Sequence, residues 1–225
     1  MCGRFSFVVE KKKVQQALPN IKIDGTLATL YNIAPTQLAY VVTNQEPFQL
    51  QTMKWGLIPH WAMNAKKAGT LINARMETIG EKLSFSTPFR TRRCVVLADS
   101  FYEWKTEGGK KIPYRILLKN KGLMLFAGIW DEWQGIKTFS IITTQPNKEM
   151  SVLHDRMPVV LRGVKNMETW LSPTDLDTLS ALCGQPKDDL LITYRVSEKI
   201  NSVYNDSPDM HTEIHTEQPP DLTLF

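Results

Sequence analysis

Cysteine at position 2, directly behind the initiator methionine, is the residue with the most chemistry to offer. Methionine is normally removed when the next residue is small. The chain would then begin at Cys2, with a free α-amine and a thiol on adjacent carbons. An α-amine has an ordinary pKa of about 7.7–8.0, so roughly a tenth or more of it is neutral at pH 7, far more than for a lysine. It is therefore a ready nucleophile toward an aldehyde and gives a Schiff base. The thiol lies within reach of the imine carbon and can close a five-membered thiazolidine ring, an intramolecular step favoured by effective concentration. The plain alternative is an idle residue at a frayed terminus. Against it stand Gly3, which permits close backbone approach, and Arg4 with "FSFVV", which reads as an ordered strand.

Other polar residues sit where propensity does not explain them. "LINARMET" places Asn73, Arg75 and Glu77 at alternating positions, which share a face if the segment is extended. "DSFYEWK" embeds Glu103 between Tyr102 and Trp104 in a strongly apolar strand. Burial there raises a carboxyl pKa and suits it to proton transfer; a salt bridge to a basic residue is the bland reading. "SVLHDRMPVVL" sets His154, Asp155 and Arg156 on a loop ahead of a strand. "WGLIPHWA" offers Trp55 and Trp61 around His60, and exposed rings there could stack on bases. "YNIAPTQ" reads as a turn in which Asn32 could cap or bind. No phosphate-binding glycine loop, HExxH or zinc-like spacing occurs, so neither a metal site nor a nucleotide cofactor is expected.

The elements that must position these residues are mostly strands. "VEKKKVQQALP" predicts a first helix with Val14, Ala17 and Leu18 on one face and Pro19 as its stop. "LAYVVT" and "FQLQTMKWGLI" read as strands. "CVVLADSFYEWK", "KIPYRILLK", "GLMLFAGIWDEW" and "IKTFSIITT" read as four successive antiparallel strands, punctuated by "TEGGK", "NKG" and "QG". "SPTDLDTLSALCG" predicts a helix with Ser172 as N-cap, Pro173 at N1 and Gly184 past its end. "LLITYRV" is a late strand, and residues 207–225 read as a loosely attached polar tail. The expectation is one α+β domain around a curved, barrel-like, mostly antiparallel sheet with peripheral helices.

Composition fits that picture. The 225 residues are 42% hydrophobic, enough for one sizeable core. A net charge of +4 permits a polyanionic partner without demanding one. Cys2, Cys94 and Cys183 lie far apart, which excludes a disulfide framework and points to a reducing compartment; Cys94 and Cys183 read as core residues. The start has no signal-like apolar stretch, and no apolar run reaches about 18 residues. A cytoplasmic protein without membrane association is expected.

Taken in order, "MCGRF", "YNIAPTQ", "WGLIPHW", "INARMET", "FYEWK" and "LHDRMPVVL" closely resemble the SOS-response-associated peptidase family, the abasic-site processing proteins. The resemblance covers about residues 2–206. It implies a positively charged channel for single-stranded DNA. It also implies that Cys2 crosslinks to the ring-opened aldehyde of an abasic site as a thiazolidine, with Asn73, Glu103 and His154 lining the pocket. It assigns Arg4, Arg75 and Arg156 to the DNA backbone and the Trp61 region to stacking or wedging, and Asn32, in a matched motif, is expected to bind DNA with them. A nucleoid-associated monomer acting on abasic single-stranded DNA, with lyase-like chemistry, is the resulting expectation. Three alternatives remain open: a cysteine peptidase or autoprotease using Cys2, a noncovalent single-strand binder, and a class II amidotransferase. The last also begins "MCG", but its following "I-x-G" pattern is missing here.

Overall fold

The computed structural model describes residues 2–64, 71–184 and 186–215. Two sheets account for the strands among them. In the first, β1 (Arg4–Phe7) lies between β2 (Leu30–Ile33) and β7 (Ser100–Glu107). Next to β7 come β8 (Lys110–Leu118) and then β13 (Leu191–Arg195). Every neighbour pair in this sheet is antiparallel. The second sheet contains β3 (Leu38–Thr43), β4 (Gln51–Trp55), β6 (Arg93–Ala98), β9 (Met124–Trp133) and β10 (Ile136–Thr144). β10 pairs with β4 in parallel and with β9 antiparallel, so the path β10-β4-β3-β6-β9 returns to β10 and closes a five-stranded barrel. β5 (Asn73–Arg75), β11 (Met157–Pro158) and β12 (Val160–Leu161) extend its rim. This is the α+β, barrel-like architecture expected from the sequence.

Inside, Phe5 of β1 meets Trp55 edge-on at 4.9 Å, and Trp55 stacks on Phe139 at 6.4 Å. Phe5 also approaches Phe126, so the core runs from the first sheet into the barrel. Two hairpins turn on left-handed pairs, Gly108–Gly109 and Gln134–Gly135, where φ is positive at both central residues. "TEGGK" and "QG" are therefore turns as expected.

Other expectations are corrected. "CVVLADSFYEWK" is two strands in two sheets, β6 and β7, broken at Asp99. The Asp99 carboxylate accepts hydrogen bonds from Val8 N at 2.7 Å, Ser6 at 3.0 Å and Arg115 at 2.5 Å, which fixes the bend. β8 and β9 consequently lie in different sheets and do not pair. Of the first helix, α1 (Lys11–Ala17), Val14 and Leu18 are buried while Ala17 is exposed. Three helices lie outside the sequence expectation: α2 (Leu83–Thr91), a short α3 (Lys148–Ser151) and α4 (Gly163–Leu171). Arg93 joins the two longer helices. Its buried guanidinium donates to the carbonyls of Phe89, Arg90, Trp170 and Ser172, which caps both C-terminal ends. α5 (Leu176–Leu182) is capped by Asp175, whose side chain accepts from Thr178 N, because Ser172 already ends α4.

Residues 207–215 are not loose. Short 3-10 helices at Glu198–Asn201 and Pro208–His211 lie across the outer face of the first sheet. There Tyr102, Val196, Ile200 and Met210 form a second, smaller core. We call this segment the strap. The rest of the expected tail, 216–225, lies outside the described residues.

Candidate active site

Alternation along β7 sorts its residues onto two faces. Tyr102 pairs with Arg4, and both face the strap; Phe101 pairs with Phe5, and both face the main core. Glu103 therefore points away from the strap, toward the start of β1. It is 3% exposed. Burial pushes its carboxyl above the ordinary range, with the charge of His154 pulling against the shift. Cys2 is fully buried nearby. Burial, and then the charge of Glu103, push its thiol up.

β5 supplies Asn73 and the α3–β11 loop supplies His154. Asn73 Nδ2 donates to the Cys2 carbonyl at 2.7 Å. Asn73 Oδ1 is buried and has no hydrogen-bond partner among the described residues. His154 Nδ1 accepts from Arg156 N at 3.0 Å and lies 2.7 Å from Asp155 Oδ1. Four segments far apart in sequence thus bring Cys2, Asn73, Glu103 and His154 together. The set combines a carboxyl inclined to hold its proton, an imidazole, an amide that fixes the Cys2 backbone, and a thiol. Such a set can pass protons around a carbonyl that reacts at Cys2.

The arginines expected to hold DNA around it have side chains in different settings. Arg75 is exposed at the end of β5. The extended pattern stops there, and Glu77 sits on a 3-10 turn, Met76–Thr78. Arg156 is 8% exposed and held by Glu77 and Thr143. Arg4 is 9% exposed and faces the strap, donating to Asn32 Oδ1 at 2.6 Å and Ile200 O at 2.8 Å. Asn32 belongs to β2 rather than to a turn, and its Nδ2 reaches Ser202 O and Asn205 O. Arg4 and Asn32 therefore tie the strap to the opposite face of the sheet from Glu103. Trp55 is core, while Trp61 is 55% exposed.

Two residues beside Trp61 had escaped the sequence reading. Asp131 is 1% exposed; its Oδ2 accepts from both His60 N and His60 Nδ1 at 2.9 Å, and its Oδ1 pairs with Arg92. Trp133 Nε1 donates to Ala62 O, which fastens the same turn to β9. The signal was present: Asp131 in "GIWDEW" is an acid inside an apolar strand, as Glu103 is. Most of "AMNAKKAG", residues 65–69, lies outside the described residues.

Among the described residues, no group of three or more His, Cys, Asp or Glu converges as a metal ligand set, and no helix is long and apolar enough to cross a membrane.

This arrangement has relatives. The chain is 42% identical to the abasic site processing protein YoqW of Bacillus subtilis (strain 168), over 93% of this chain and 98% of that protein. It is 29% identical to the abasic site processing protein HMCES of Gallus gallus, over 99% of this chain and 80% of that one. A crystal structure of a protein from Bacteroides thetaiotaomicron matches with a TM-score of 0.85 at 28% identity, over 95% of this chain and 100% of that chain. The family model described as SOS response associated peptidase (SRAP) matches residues 1–203. The chain belongs to the SRAP family.

Proposed function

We propose that this protein processes abasic sites in single-stranded DNA by trapping the lesion covalently at a mature, N-terminal Cys2. The observation that carries the reading is the meeting of Cys2, Asn73, Glu103 and His154 from four distant segments. The names of the relatives supply the substrate class.

Once Met1 is removed, the Cys2 amine is free. In its neutral form it adds to the C1′ aldehyde of the ring-opened sugar. Glu103, whose carboxyl burial pushes above the ordinary range, gives a proton to the carbinolamine hydroxyl, which leaves as water. His154 exchanges protons with the sugar as the ring opens. The Cys2 sulfur then bonds to C1′ of the Schiff base, and the thiol proton passes to the nitrogen. Aldehyde and aminothiol become a thiazolidine with the loss of one water. Asn73 holds the Cys2 carbonyl, and its open Oδ1 accepts a hydrogen bond from the amine or a sugar hydroxyl. Masking the aldehyde prevents β-elimination, so the strand stays intact. Arg75, the exposed arginine of the three, contacts phosphate, and the Trp61 turn stacks a neighbouring base. Arg4 and Arg156 serve by positioning rather than by contact. The protein acts as a monomer.

Intact-mass spectrometry of the mature protein with an abasic single-stranded oligonucleotide tests this. The expected product is the sum of the two masses less one water, stable to denaturing electrophoresis, and absent with undamaged DNA. Cys2→Ala keeps a terminal amine and should give at most an imine that borohydride traps. A durable adduct from Cys2→Ala would remove the sulfur from the chemistry.

A further inference from the structure

Arg156 spends its guanidinium inside the protein. Its two terminal nitrogens reach Glu77 Oε1 and Oε2, each at 2.8 Å, and one of them also donates to Thr143 O at 2.6 Å. The pair fastens the His154 loop to the turn after β5 and to β10. Glu77 responds as a tightly held carboxylate: the hydrogen bonds from Arg156 lower its pKa. The backbone N–H of the same arginine donates to His154 Nδ1 at 3.0 Å.

That contact has a chemical consequence. A ring nitrogen that accepts a hydrogen bond is unprotonated, so the neutral imidazole carries its proton on Nε2. Asp155 Oδ1, 2.7 Å from the same Nδ1, makes the opposite demand, because a carboxylate favours a protonated Nδ1. One nitrogen cannot satisfy both. The balance depends on how firmly the Arg156 backbone is held. The charged groups around the ring are Asp155, Glu103 and Arg156, with Glu77 behind Arg156.

We propose that Glu77 is a positioning residue for His154. By anchoring Arg156 it keeps the Arg156 N–H on Nδ1 and the imidazole proton on Nε2. The inference rests on the proposed proton-transfer role of His154. It also separates two uses of Arg156. If the arginine were chiefly a phosphate ligand, a neighbouring carboxylate would only weaken it. If it is chiefly a brace, loss of that carboxylate impairs chemistry while removing a negative charge from the path of the strand.

Glu77→Gln tests the difference. Noncovalent affinity for an undamaged single strand should hold or rise, as one repulsive charge is gone. The rate of adduct formation at saturating abasic DNA should fall about tenfold or more, the scale of a misplaced catalytic group. Nitrogen-15 NMR of His154 should show an unprotonated Nδ1 in the wild type and a mixture of tautomers in the variant. Glu77→Asp keeps the charge at shorter reach and should fall between the two in rate and ring signals, a second readout should Glu77→Gln fold poorly. An unchanged rate with unchanged ring signals overturns the proposal, as does loss of affinity in step with rate. If the wild type forms no adduct at all, the functional reading fails instead, and the ring signals alone then decide the role of Glu77.

Discussion

The two faces of the β1–β7 pair use polar residues differently. On the strap face, Arg4 and Asn32 bind the carbonyls of Ile200, Ser202 and Asn205. Tyr102 donates to Tyr31 O, and Trp104 Nε1 donates to Asn201. These bonds join residues up to 196 positions apart, so they stabilise the fold. On the other face, Glu103 is buried with a raised pKa beside Cys2 and His154, and Asn73 Nδ2 ties to the Cys2 carbonyl. Neither face is fully satisfied. Arg4 Nε and His211 Nε2 on one, and Asn73 Oδ1 and Arg156 Nε on the other, have no hydrogen-bond partner among the described residues. The lesson lies in cost. A charge buried as a brace sets its desolvation, which lowers the Arg4 pKa, against the hydrogen bonds it makes, whereas a carboxyl buried for proton transfer costs stability whenever it ionises.

The largest effect should follow from Glu103→Gln. Adduct formation should slow by roughly 100-fold or more, within the range of general acid–base catalysis. The denaturation midpoint should stay or rise, since the amide has no charge to desolvate. A normal rate with lost stability would reverse the comparison. Next is Arg4→Ala, which orphans Asn32 Oδ1, leaves Ile200 O only the longer bond from Asn32 Nδ2, and should cost about 1–3 kcal/mol in urea unfolding. The folded fraction should still form adduct at saturating DNA. Full stability with impaired DNA binding would return Arg4 to the DNA-contact role that its sequence position suggested.

The smallest effect is on pH dependence. Burial, and then the charge of Arg115, lower His211 from 6.5 to about 4. The unfolded chain takes up this proton near 6.5, but the folded chain resists it, so stability is lost as pH falls from 6.5 toward 4. Glu103, with its pKa raised, acts in the opposite sense. The measurement is therefore wild type against His211→Gln: the urea midpoint of the wild type should drop more steeply on acidification. Parallel curves would mean that the strap does not depend on a neutral His211.

Much of the site was legible because its residues break local rules. Glu103 in an apolar strand, and "HDR" on a loop ahead of one, have no propensity reason to be there. The barrel was legible as a run of strands, but its closure was not, because β10 pairs with β4 and β5 in parallel over only a few residues. Asp99 hid a sheet change inside an apolar run, since its partners Ser6 and Arg115 come from other strands and Val8 follows β1. α2 was hidden by its serines and threonines and an internal Pro88. α4 could have been found, for Val164, Met167, Trp170 and Leu171 follow helical spacing. The burial of Arg4 and Arg156 could not, because their partners Asn32, Ile200, Glu77 and Thr143 are set by tertiary contact.

The central place of β1 also sets a timetable for maturation. Phe5 emerges early from the ribosome, but its partner Phe101 lies far downstream. At about 5–20 residues per second, synthesis of the intervening chain takes roughly 5–20 s. During that interval β1 has only the short β2 to pair with, and the edge that β7 later covers stays open. After β7 arrives, Cys2 is sealed at 0% exposure. If Cys2 is freed as proposed, removal of Met1 competes with this strand pairing, and slowing translation ahead of β7 would favour the aminopeptidase.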